Sequence, residues 1–235
     1  MLRKMNLNTD LFDNGYLVVN KPVNRTQMEE IALQYGNTMP TSFLSEGVYD
    51  KAAINDKYAS HVIGHTSEHS IGSNLGWHQD YAYREPRYYG LILFGLKNSH
   101  IVDTHLCNLR KLFDSFNDSE KRFLRECSFL HVDPTHSMRY SVSRPLVEKH
   151  PITNAEVLNF SPFGFLPESY ETKEYKMIME RVSDFTTIIK WKDRKFHVII
   201  DNYQFMHKTE KSKEYWNENP RRMLRIQFDY SNVTQ

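Results

Sequence analysis

His78 and Asp80 stand two residues apart in NLGWHQDYAYREPRYYGLILFGL, just ahead of a long apolar run. On an extended chain, residues i and i+2 point the same way. An imidazole and a carboxylate would then share one side of a strand, with Trp77 and Gln79 on the other. Nitrogen and oxygen donors paired in this way suit a metal ion, although the two-residue pattern alone is common. A second histidine from a distant strand would complete a ligand set. KFHVIIDNYQFMHKTE supplies one: a strand ending at Asp201 and Asn202, then His207 in the following loop. Two histidines and one carboxylate on one side of a metal leave three positions open, the ligand arrangement of non-heme Fe(II) oxygenases.

The last strand adds an anion clamp. In PRRMLRIQFDY the alternation sets Arg221, Met223, Arg225 and Gln227 on one face and Arg222, Leu224, Ile226 and Phe228 on the other. The apolar set packs outward and the polar set points inward. A buried guanidinium needs an anionic partner and grips a carboxylate with two parallel hydrogen bonds. The metal-binding co-substrate 2-oxoglutarate carries such a carboxylate at its far end.

With these residues in view, the chain resembles the taurine dioxygenase-like, clavaminate-synthase-like Fe(II)/2-oxoglutarate dioxygenases from about Asn74 to Tyr230. The resemblance rests on WHQD, VDTHL, HPITNAEVLNF, IIDNYQFMH and the terminal Arg-x-x-x-Arg. It implies that His78, Asp80 and His207 hold Fe(II), with 2-oxoglutarate and O2 as co-substrates. It gives Thr104 a hydrogen bond to the distal carboxylate of 2-oxoglutarate, and gives the first arginine of the pair the carboxylate itself. Strand facing favours Arg221 for that role; a gapless reading would give it to Arg222. Arg225 then lies by the substrate or shares the role, and Asn74 contacts co-substrate or substrate. Halogenases of this superfamily have Gly or Ala in place of the triad carboxylate, so the presence of Asp80 favours hydroxylation of an unactivated C–H.

The implied substrate is a small polar metabolite, first a free amino acid or a compound made from one, with an anionic group suited to Arg225 and to Arg84 or Arg87. Two alternatives differ in kind. A Zn-dependent cupin-like hydrolase or isomerase would not need the Thr104–arginine clamp. A non-catalytic binding module would not need to keep the ligand set.

The surrounding elements read as mainly β with helical additions, a double-stranded β-helix of the jelly-roll or cupin-like kind. One domain is expected over residues 1–235, with an N-terminal strand–helix segment of about residues 1–40 packed on the core. NGYLVVNK reads as a strand after an Asn-Gly turn, and NRTQMEEIALQYG as a helix ending at Gly36. Residues 38–76 lack periodicity. LRKLFDSF and SEKRFLREC predict short helices, the second capped by Asp118. CSFLHV, MRYSVSRPLV and AEVLNF predict strands. Helical spacing of Tyr175, Ile178, Met179, Val182, Phe185 and Ile189 predicts one helix over Thr172–Lys190. Asp201 and Asn202 are expected to orient His207. His65 and His69 fall in a Gly/Ser-rich stretch and read as loop residues; Tyr81, Tyr83, Tyr88 and Tyr89 read as packing, and Arg84 and Arg87 as solvated.

Bulk composition narrows the partners. Of 235 residues, 30 are Lys or Arg and 29 Asp or Glu, for a formal charge of +1, which offers no basis for a nucleic-acid or membrane surface. Cys107 and Cys127 form no C-x-x-C pattern, and a reducing compartment is the simpler expectation. The start of the chain lacks an apolar signal-peptide core, so the expected location is the cytoplasm.

Overall fold

The computed structural model describes residues 7–39, 61–64, 76–85, 87–133, 140–209 and 221–233. Asn74, His65 and His69 lie outside them, as does most of the irregular stretch 38–76. Helix α1 (Leu7–Asn14) leads into β1 (Tyr16–Val19) and α2 (Arg25–Tyr35). Then come β2 (His61–Gly64), β3 (Gly90–Lys97), β4 (Thr104–Asn108), α3 (Leu109–Asp114) and α4 (Asp118–Arg125). The middle of the chain gives β5 (Ser128–Val132), β6 (Ser141–Pro145), β7 (Val147–Lys149), β8 (Glu156–Leu158), α5 (Lys173–Met179) and β9 (Thr186–Ile189). Strands β10 (His197–Asp201), β11 (Phe205–Thr209) and β12 (Arg222–Phe228) finish it.

The strands form two antiparallel sheets, in the orders β1-β10-β3-β12-β2 and β11-β4-β9, with β5–β6 and β7–β8 as separate ribbons. This is the mainly β jelly-roll expected, with helices added outside. Alternation assigns each central strand two jobs. Leu91 and Leu93 of β3, Val198 and Ile200 of β10, and Met223 of β12 face the smaller sheet, meeting Leu106, Ile189 and Phe205. The opposite rows, Ile92, Phe94, Ile199, Leu224, Ile226 and Phe228, face Leu11 and Phe12 of α1 and Met28, Ala32 and Tyr35 of α2. Each such buried side chain stabilises the fold by about 1.5–3 kcal/mol. β12 is thus anchored by its outward row, and its inward row is left for polar residues.

Local chemistry accounts for the element ends. Asn24 caps α2 and its side chain accepts from the Gln27 amide, while Gln27 reaches back, a full capping box. Gly15 turns α1 into β1 at φ +77°, and a Cβ there would run into the Phe205 ring. Among the described residues, no helix is long and apolar enough to cross a membrane.

Several elements depart from the sequence expectation. Thr172–Lys190 is not one helix. α5 stops at Met179, a 3-10 turn covers Val182–Phe185, and Thr186–Ile189 is strand β9, paired with β4. The segment TTII is β-branched throughout, which disfavours helix and suits a pleated edge, and β4 offers that edge. The apolar i, i+3 spacing survives because the 3-10 turn keeps Val182 and Phe185 on the core side of α5. α4 is capped by Asn117 rather than Asp118, which is its first helical residue. α1 carries no sequence signal beyond Leu11 and Phe12. His207 lies in strand β11, not in a loop.

Candidate metal centre

β11 brings His207 beside His78. The two residues form an isolated antiparallel bridge, with His78 N–H donating to His207 O at 3.0 Å and His207 N–H to His78 O at 2.8 Å. Their rings stand 4.2 Å apart. Asp80 is not on a strand with His78, as the alternation suggested. It opens a turn, and Tyr81 behind it has φ 56°, a conformation that costs a non-glycine residue of order 1 kcal/mol or more. The segment is held from the other side: the Gln79 amide donates to the carbonyls of Asn202 (2.9 Å) and Tyr203 (3.0 Å). The Asn202 side chain accepts from Asp80 N–H at 2.9 Å and donates to Asp80 O at 3.0 Å. Asn202 therefore positions Asp80 rather than His207. Its neighbour Asp201 accepts from His150 Nε2 at 2.8 Å.

The result is a buried cluster in which one donor atom each of His78, Asp80 and His207 lies within 4.8 Å of the others. Asp80 Oδ1 is 3.5 Å from His78 Nε2 and 3.7 Å from His207 Nε2. His78 Nδ1 lies 2.8 Å from Gly76 O, which only accepts, so the proton sits on Nδ1 and the Nε2 lone pair faces the cluster. His207 Nδ1 is buried without a hydrogen-bond partner. Burial, with His78 alongside, pushes the His207 imidazole down to about 3, so it is neutral at neutral pH. Burial alone would raise the Asp80 pKa, but the Arg225 guanidinium and the two histidines outweigh it and hold the carboxyl well below the usual range. One carboxylate and two imidazoles around a common point fit a divalent cation.

A second feature lies further along the same ladder. Thr104 pairs with Thr209, two residues past His207 on β11, about 7 Å along the strand. The Thr104 hydroxyl oxygen accepts from Trp191 Nε1 at 2.8 Å and from Arg221 Nη2 at 3.4 Å, so its own proton is available to an anion. Arg221 is 6% exposed and its Nε has no hydrogen-bond partner. Burial pulls its guanidinium down to about 10, so it stays charged at neutral pH. Arg222 points outward and is exposed, as the strand alternation requires. Arg225 faces inward but is directed at the cluster itself, with Nη1 3.0 Å from Asp80 Oδ2.

Three further residues emerge. Gln227 donates to Asp80 Oδ2 at 2.7 Å; its inward position was legible but its partner was not. Trp191 and Asn202 were missed in these roles because each acts on a residue about 90 to 120 positions away. Arg84 and Arg87 are buried, not solvated. Arg87 donates to Glu148 at 3.2 Å and covers the Tyr203 ring at 4.3 Å, and Arg84 lies 4.0 Å over Tyr140. Tyr81 and Tyr88 pack with Met39, as expected.

The family model for "Taurine catabolism dioxygenase TauD, TfdA family" matches residues 5–227. No curated protein matches the chain. Among solved structures, a taurine dioxygenase from Burkholderia xenovorans is similar at 18% identity and TM-score 0.72, covering 96% of this chain and 83% of that one. AAD-2, solved with Mn(II) and N-oxalylglycine, is similar at 16% identity and TM-score 0.76, covering 97% and 89%. PvcB, an Fe, alpha-ketoglutarate dependent oxygenase from an isonitrile synthetic pathway, is similar at 16% identity and TM-score 0.70, covering 97% and 80%. With the family model spanning nearly its whole length, the chain belongs to the TauD/TfdA family and is an Fe(II)- and 2-oxoglutarate-dependent dioxygenase.

Proposed function

We propose that this dioxygenase hydroxylates an unactivated C–H of a small polar metabolite, first a free amino acid or a compound derived from one. His78, Asp80 and His207 hold Fe(II), and Thr104 and Arg221 hold the far carboxylate of 2-oxoglutarate. The observation that carries this reading is the register of one ladder. The ligand cluster at His207 and the hydroxyl–guanidinium pair at Thr104 are two residues apart on β11 and β4, a span suited to a short diacid chelated at one end.

The chain's own residues do the positioning. Arg221 neutralises the far carboxylate and Thr104 donates its freed proton to it. Arg225 keeps Asp80 ionised, and His78 is fixed in the ligating tautomer by Gly76 O. Phe163 stands 6.0 Å from the His78 ring and Phe163 N–H donates to Trp77 O, which closes one side with an apolar wall. When bound, Fe(II), 2-oxoglutarate and O2 supply the oxidation: 2-oxoglutarate leaves as succinate and CO2, one oxygen enters succinate and the other the substrate C–H. The protein holds that C–H close and limits water.

Support for a small substrate comes from the near-neutral charge, which favours no polyanionic partner, and from the burial of the cluster. The test is succinate release with Fe(II), 2-oxoglutarate and a panel of free amino acids. The expected result is stimulation by one of them with a product heavier by one oxygen atom. Indifference to every amino acid, with stimulation by an unrelated class, would remove the substrate assignment.

A further inference from the structure

Asp80 has two carboxylate oxygens, and the structure treats them differently. Oδ1 faces His78 Nε2 and His207 Nε2. Oδ2 receives Arg225 Nη1 at 3.0 Å and Gln227 Nε2 at 2.7 Å. A carboxylate oxygen offers two in-plane lone-pair directions. With two donors in place, Oδ2 has no lone pair left for a cation. The Gln227 amide must be oriented this way, because a carboxylate only accepts and the opposite orientation would set oxygen against oxygen. Gln227 is 2% exposed, and its Oε1 is buried without a hydrogen-bond partner. A buried amide with one end unsatisfied costs stability. The contact that fixes this amide is therefore the one to Asp80.

We infer that Gln227 is a positioning residue that keeps Asp80 a one-oxygen ligand. The inference rests on the proposed ligand set. Arg225 alone would fill one direction on Oδ2 and leave the other open, so the carboxylate could swing and chelate through both oxygens. That would take a coordination position the co-substrates need. A second cationic side chain could also block Oδ2, but it would add a positive charge beside the metal; the neutral amide does the same work without it. The residue stands on the inward row of β12, two positions past Arg225, so the pair reaches one oxygen from one strand face.

The test uses the full chain with Mn(II) and infrared difference spectra, metal-loaded minus metal-free, with aspartate labelled by 13C. The separation of the two carboxylate stretches reports one-oxygen or two-oxygen binding, which a change in fold stability alone would not move. Wild type is expected to bind Mn(II) with the one-oxygen signature. Gln227→Met is expected to bind Mn(II) but to shift to the two-oxygen signature, with 2-oxoglutarate affinity at least about tenfold weaker. Gln227→Lys, which keeps a donor, is expected to return the one-oxygen signature. Gln227→Leu replaces the Met variant if that does not fold. A one-oxygen signature in the donor-free variant overturns the inference and leaves the ligand set standing. Failure of wild type to bind Mn(II), or Asp bands that do not respond to it, overturns the ligand set and the inference with it.

Discussion

Asn202 grips the backbone of Asp80 from both sides, accepting its N–H and donating to its carbonyl while also donating to Tyr88 O at 3.1 Å. The residue that sets the carboxylate's place in the cluster thus comes from the β10–β11 turn, immediately after the strand that pairs with β3. Asn202→Ala should remove the side-chain hydrogen bonds to three buried backbone groups. The expected cost is about 2 kcal/mol or more of stability and about 10- to 100-fold in metal affinity. Thermal unfolding and Mn(II) titration check both. Unchanged metal affinity would mean that Asp80 is held by other contacts.

Arg221 and Arg222 are adjacent but face opposite ways. Arg221→Ala should cost about 2–3 kcal/mol of 2-oxoglutarate binding, roughly 30- to 150-fold in KM. Arg222→Ala should leave KM unchanged, since its side chain is exposed. Neither variant should alter Mn(II) binding alone. The reverse pattern in KM would exchange their roles.

His131 gives a pH signature away from the metal cluster. It is 1% exposed, both ring nitrogens lack hydrogen-bond partners, and burial beside Arg87 and Arg144 pushes its pKa down to about 3. Unfolded, it titrates near 6.5. Between those values the unfolded chain binds the extra proton, so stability falls as the pH drops from about 6.5 towards 3, at up to about 1.4 kcal/mol per unit. His131→Leu should make that limb shallower, His207 still contributing its own share, and leave stability at neutral pH no lower. Urea midpoints at several pH values decide it; an unchanged slope would show that His131 is not the source.

Strand β9 makes its own demand. Ile189 is 6% exposed within the inter-sheet core and Ile188 is 47% exposed. Ile189→Ala should cost about 2–4 kcal/mol and Ile188→Ala less than about 0.5 kcal/mol, as read from chemical unfolding. Equal losses would contradict the strand pairing.

What could be read beforehand follows from how local each signal is. The inward row Arg221, Met223, Arg225, Gln227 was legible because a period of two within one strand needs no knowledge of neighbours. The proximity of His78, Asp80 and His207 was legible as a set of residue types, but not its geometry. His78 meets His207 through a single bridge, and Asp80 sits in a turn with Tyr81 in the left-handed region. Neither a turn nor a cross-chain bridge leaves a periodic trace. The misread helix over 172–190 shows the same limit: apolar spacing at i, i+3 serves α-helix and 3-10 turn alike, and only the free edge of β4 makes TTII a strand. Asn202, Trp191 and Gln227 act across the chain on Asp80 and Thr104, so their partners appeared only with the fold.

The most direct measurement is anaerobic titration of the metal-free protein with Fe(II) and then 2-oxoglutarate, following the visible charge-transfer band of a chelated Fe(II)–keto-acid pair. The expected result is a band that saturates at one 2-oxoglutarate per chain, vanishes in His207→Ala, and needs far more 2-oxoglutarate in Arg221→Ala. Absence of the band in the wild-type protein, with tight binding of Zn(II) at His78, Asp80 and His207, would contradict the assignment of an Fe(II)–2-oxoglutarate site with Arg221 as its clamp and favour a hydrolytic zinc site.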